Sequence, residues 1–129
     1  MKPSTQQWLD FAKADLINCE RILEDEYLTT IVAFHSQQVV EKYFKALIDA
    51  KNLDIPRIHN LVRLYQVVEG FLNNPIEIRE LMALDSVYTS SRYPSDIGMI
   101  ATGKPTQQDA LALFESAKSI FEAITELID

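Results

Sequence analysis

The chain is short of the residues that build many small-protein scaffolds. A single cysteine, Cys19, excludes a disulfide framework and any multi-cysteine zinc or iron–sulfur site made from this chain alone. Long uncharged runs are absent as well: the longest, from Tyr27 to Val40, holds Thr, His, Ser and two Gln and so is no membrane span. The opening MKPSTQQWLD lacks the apolar run of a signal peptide. A soluble protein of a reducing compartment, located in the cytoplasm, is the expectation from these absences. Basic residues are the minority, 12 Lys and Arg against 19 Asp and Glu, for a formal net charge of -7. Coating duplex DNA without sequence preference requires many cations against phosphate, so that function class is excluded. No segment of four or more residues alternates cleanly between apolar and polar, which leaves no strand to expect. Internal repeats and low-complexity tracts are missing too.

Glycine and proline are equally scarce, three and five in 129 residues, and their positions divide the chain. Pro3 and Pro56 bracket a run free of both, and another such run follows Pro105 to the end. Long helices read this way. Trp8, Phe11, Ala12, Leu16, Cys19, Ile22 and Leu23 recur at helical steps, and Ser4 is placed to cap them. A turn at Asp25 and Glu26 precedes a second helix from Tyr27 to Ala50, with Val32, His35 or Ser36, Val39, Tyr43, Ala46, Leu47 and Ala50 inside. KNLDIPRIHN is a loop, ended by His59 or Asn60 as the cap of a third helix that buries Leu61, Leu64, Tyr65 and Val68. A fourth helix of three to four turns follows the Asn73, Asn74, Pro75 turn, with Ile76, Ile78, Leu81, Met82, Leu84 and Tyr88 as its apolar set. Residues 89–104 form a loop. The last helix opens at Pro105 or Thr106, with Asp109 receiving first-turn amides, and packs Ala110, Leu113, Phe114, Ala117, Ile120, Phe121, Ile124, Leu127 and Ile128. The expected fold is all-α: residues 1–129 as one domain, an up-and-down four-helix bundle with an additional short helix.

Several chemistries fall away on spacing. Neither histidine has a Glu three residues before it, as a di-iron bundle needs, and metalloprotease and CxxC motifs are missing. Gly98 to Lys104 matches Gly-x-x-x-x-Gly-Lys, but Pro105 stands where a phosphate loop needs Ser or Thr, and no strand precedes it. A connecting loop explains the same residues. No metal or other cofactor is expected.

Charge is unevenly spread. Residues 31–63 carry five basic and three acidic groups, whereas residues 64–129 carry four basic and ten acidic. The positive set is Lys42, Lys45, Lys51, Arg57 and Arg63, with His59 among them. One reading is a solvated face supported by pairs such as Glu41 with Lys45. Another is a ligand site, because antiparallel succession of the helices brings His59, Arg92 and Tyr93 to one end of the bundle. Arg offers a donor fork for phosphate, Tyr an aromatic plane for a base, and His a donor or proton carrier. In the bland alternative Tyr93 plugs the bundle end, Arg92 holds helix carbonyls and His59 caps the third helix.

At these residues the chain resembles the HEPN domains, the helical family of higher eukaryotes and prokaryotes nucleotide-binding proteins. The resemblance is carried by Trp8 with Ala14-Asp15-Leu16, by Phe34 to Ala46 (FHSQQVVEKYFKA), by Ile58-His59-Asn60-Leu61, and by Tyr88 with Ser91-Arg92-Tyr93-Pro94. It implies a homodimeric bundle paired with a minimal nucleotidyltransferase, for which the HEPN protein supplies substrate binding or acts as toxin partner. The family positions fall on Lys42, Lys45, His59, Arg92 and Tyr93, which form the expected ligand-binding set. HEPN members that cut RNA without metal carry a His four to six residues after the Arg. Here residues 93–99 contain no His, so the general acid or base of that mechanism is missing. The sequence therefore points to a non-catalytic nucleotide- or substrate-binding subunit. A toxin-type ribonuclease with an altered site and a plain helical interaction module are the alternatives.

Overall fold

The computed structural model describes residues 1–89 and 93–128. Five α-helices make up the fold: α1 (Pro3–Ile22), α2 (Thr29–Ala50), α3 (Leu61–Val68), α4 (Ile78–Asp85) and α5 (Gln107–Ile128). Short 3-10 turns follow α1 and α3, and another spans Pro94–Asp96. Among the described residues the only β-type pairing is the isolated bridge between Ile100 and Gly103.

Local chemistry accounts for most boundaries. Pro3 starts α1, where its fixed φ suits a first turn and its missing N–H costs nothing. Ser4 does not cap this helix: it and Thr5 donate their hydroxyls to Asp49 Oδ2, at 2.8 and 2.6 Å, and so pin the start of α1 to the end of α2. Asp25 accepts from the Tyr27 amide and sets the turn into α2. α2 ends at Ala50, and the chain turns away at Asn52, whose φ of 59° is left-handed, as the Leu53 and Asn52 amides return to the Ile48 and Asp49 carbonyls. Of the two candidates for the cap of α3, Asn60 takes the role, accepting from Arg63 N. Thr106 and Asp109 cap α5 reciprocally, each side chain accepting the other's amide at 3.0 Å.

The linker of residues 51–60 departs from simple reversal. Gln37 on α2 donates to the His59 carbonyl, Phe44 lies against Tyr65 at 6.3 Å, and the Lys51 ammonium sits over Phe71 at 5.3 Å. Successive residues of the α3 segment thus meet successive residues of α2, and α3 runs parallel to it. The linker climbs back along α2, so the end of α2 and the start of α3 do not share a bundle end. α4 then reverses α3: Ile76 N donates to the Tyr65 hydroxyl before it starts, and Asp85 at its end accepts from Leu61 and Val62 N. α5 runs alongside α2, with Phe121 edge-on to Tyr43 at 4.2 Å and Gln107 donating to the Glu24 carbonyl. Directions therefore alternate through α1, α2, α4 and α5, and α3 is the additional short helix.

α2 is the centre of the core. Val32, Val39, Phe44, Leu47 and Ile48 are fully buried, joined by Leu61, Leu64, Leu81, Leu84 and Ile124 from the surrounding helices. Burying one such side chain stabilises by about 1.5–3 kcal/mol. Ala12, Cys19, Ala33 and Ser36 are small and fully buried, and Cys19 Sγ reaches Val32 O at 3.6 Å. Small side chains at that seam let α1 and α2 approach closely. Two expectations on buried faces change here. Phe11 is 63% exposed, and α4 is two turns long with Ile78 and Met82 turned outward, while Tyr88, expected on its apolar set, lies beyond its end and is exposed. Glu77 is extended, at ψ 120°, so the helix begins after it and keeps only Leu81 and Leu84 inside.

Candidate functional site

Because α2 is enclosed on several sides, some of its polar residues are buried and must be paired there. Gln37, Glu41 and Lys45, spaced four apart, form one row and are all at most 6% exposed. Glu41 is its hub: Oε2 accepts from Lys45 Nζ at 3.0 Å and from His59 Nδ1 at 2.9 Å, while Oε1 accepts from Gln37 Nε2 at 3.2 Å. Gln37 also donates to the His59 carbonyl, so ring and backbone of His59 are both held. The His59 side chain is nevertheless 74% exposed. A carboxylate only accepts here, so Nδ1 carries the proton and Nε2 faces outward with no partner among the described residues.

A second carboxylate organises the neighbouring row. Asp15 on α1 accepts from Lys42 Nζ at 2.6 Å and from His35 Nδ1 at 2.8 Å. Aromatic rings line the seam, with Lys42 5.2 Å from the centre of Phe11 and Lys45 5.8 Å from that of Trp8. Each of the two buried carboxylates thus holds one lysine and one histidine. Lys42 and Lys45, expected as ligand-facing cations, lie against carboxylates, and Lys45 is buried. Glu41 with Lys45 is an interior pair, not the surface pair that i, i+4 spacing alone suggests.

Arg92 lies outside the described residues. Tyr93 is 59% exposed and leads into the Pro94–Asp96 turn, where Asp96 N donates to its carbonyl. Arg57 and Arg63, on either side of His59, are exposed and form no ion pair among the described residues. Asp85 stands behind this segment. Burial raises its carboxyl above the usual range, nearby Glu41 adds to the rise, and the Leu61 and Val62 amides pull it back. Cys19, beside Ser36 at 3.7 Å, is pushed up to about 11 chiefly by burial, so its thiol is inert at neutral pH. Gly98 at φ 85° lets the chain pass against Thr30, and Ile100 and Gly103 close a tight turn three residues before Thr106. That is the geometry of a connecting loop.

Asp15, His35 and Gln37 are the participants outside the expected set, and Glu41 enters it only as a surface partner of Lys45. Their signal was the apolar density around Lys45: Val39, Val40, Tyr43, Phe44, Ala46, Leu47 and Ile48 occupy so many directions around α2 that charges between them cannot all reach water. No described helix is long and apolar enough to cross a membrane.

Comparison with known proteins agrees with this architecture. The family model for the HEPN domain matches residues 5–127. An archaeal HEPN homologue of known crystal structure is similar over 100% of both chains, with a TM-score of 0.71 and 28% identity. No curated protein matches. With the bundle, the helix order and nearly the whole length accounted for, the chain belongs to the HEPN domain family.

Proposed function

We propose that this protein is a non-catalytic nucleotide- or substrate-binding subunit, a homodimer that works beside a minimal nucleotidyltransferase. The observation that carries the reading is the exposed imidazole of His59, anchored on buried Glu41 and flanked by Arg57 and Arg63. Protonated on both nitrogens, the anchored ring presents Nε2–H outward as a donor, and with Arg57 two residues before it and Arg63 four after it in the sequence this suits a phosphate group. In this reading Arg92 adds a second phosphate contact and Tyr93 stacks on the base. Lys42 and Lys45 act at one remove, holding Asp15 and Glu41 in place. Calorimetric titration with ATP and other nucleotides, with and without magnesium, tests the role. Binding weakened about tenfold or more in His59→Ala and Arg92→Ala supports it, and absence of heat at millimolar ligand removes it. Co-purification with a nucleotidyltransferase encoded beside it tests the partnership.

The same dyad favours one second reading. A histidine fixed through Nδ1 with Nε2 open is also what a general base requires, so RNA cleavage by the purified protein, lost in His59→Ala, would convert the binding subunit into a nuclease.

A further inference from the structure

We propose a second ligand site on the outer side of α1, where Phe11 serves as the stacking platform for a nucleobase that carries an exocyclic amino group. It goes beyond the His59 reading and does not rest on it. Phe11 belongs by spacing to the buried stripe of α1, yet the ring stands 63% exposed. The position of the Lys42 ammonium, 5.2 Å from the ring centre, is fixed from behind by the 2.6 Å bond to Asp15. Asp15 is only 8% exposed and also holds His35, so the support under the ring is rigid. The open side of Phe11 borders a shallow cleft of about 280 Å³, lined otherwise by Gln7, Asp10 and Ala14. That is room for one heterocycle, at the small end of ligand pockets, which run about 300–1,000 Å³.

The polar groups on the cleft select among planar ligands. Asp10 Oδ1 accepts from Gln6, while Oδ2 has no partner among the described residues. The Gln7 side chain, three residues earlier on the same lining, likewise makes no hydrogen bond among the described residues. A free carboxylate oxygen accepts from an exocyclic amino group, and the amide of Gln7 supplies a donor and an acceptor for the adjoining ring edge. Adenine and cytosine present such an edge; uracil has no amino group. Ala14 has the smallest side chain of the wall. Stacking on an aromatic side chain tolerates any base, so the platform provides affinity and Asp10 the preference.

Adenosine has no phosphate for His59, and titrating it against Tyr93→Ala also removes the base contact of the His59 reading, so the binding that remains reports this site. Titration of the full chain by calorimetry is followed in parallel through Trp8, the single tryptophan, one helical turn from Phe11. The expected result is adenosine binding that falls about tenfold or more in Phe11→Ala, persists in Phe11→Tyr and is unchanged in His59→Ala. Asp10→Ala should erase the preference for adenosine over uridine. Unchanged affinity in Phe11→Ala, or no adenosine binding at millimolar concentration, overturns the site. A fall in particle mass with Phe11→Ala also overturns it, because the ring would then be covered by another protein chain. ATP binding that depends on His59 while adenosine fails to bind leaves the His59 reading standing and ends this one.

Discussion

Glu41 is the residue on which the candidate site turns. Replacing it by Ala strands the Lys45 ammonium in the interior and frees the His59 ring, since both use the same oxygen. Breaking a buried pair from one side costs about 3–5 kcal/mol, so Glu41→Ala should lower the urea midpoint sharply, and Glu41→Gln less. At Cys19 the prediction is kinetic: a thiol shifted up to about 11 by burial stays protonated at pH 8, so a thiol reagent should label it slowly when folded and rapidly in denaturant. These two residues mark how far single positions were legible. His59, Lys42 and Lys45 stand out in the sequence as a basic group, and the structure shows each one paired. Of their carboxylate partners, Glu41 is legible in the sequence only as a surface partner of Lys45 and Asp15 not as a partner at all, because a carboxylate's role depends on whether its helix is enclosed, and enclosure is decided by elements far away in sequence.

Helix termini carry the next set of consequences. Asp85 reaches from α4 to hold the first two amides of α3, so Asp85→Ala should destabilise by about 1–2 kcal/mol, as loss of a helix cap does. Gly98 is replaceable only at the cost of strain, since its φ is positive and a Cβ would overlap the Thr30 carbonyl. Gly98→Ala should therefore cost about 1–3 kcal/mol and expose the 86–106 connection to protease first. The long helices were readable because Gly and Pro are absent inside them, and the buried sets of α3 and α5 follow the helical period. For α4 the apolar spacing predicts three to four turns, and the structure has two. Its apolar residues continue on the outward face as Ile78 and Met82, and a periodic pattern alone does not tell a core face from an exposed one. The direction of α3 was likewise unreadable, since an irregular linker of ten residues can either turn a corner or run back along its neighbour.

At the scale of the whole molecule, the clamp between the chain's start and the end of α2 makes stability depend on acid. Hydrogen bonds from Thr5 and Ser4, with Lys2 nearby, hold Asp49 below the usual carboxylate range. A carboxyl whose folded value is depressed stabilises fully above its unfolded value and loses that contribution as pH falls through the folded one. Asp49→Asn should therefore flatten the acid side of the stability profile below about pH 4 and leave the neutral side little changed in slope, checked by thermal unfolding across pH. Light scattering should give twice the 14.7 kDa chain mass if the protein is the dimer proposed here. All of these bear on the frame around one claim, that the imidazole anchored on Glu41 receives a phosphate-bearing ligand. The most direct test is calorimetric titration of the intact protein and of His59→Ala with ATP. The account predicts saturable heat for the intact chain and an affinity at least about tenfold lower for the variant; equal affinities, or no heat from either protein at millimolar ATP, would contradict it.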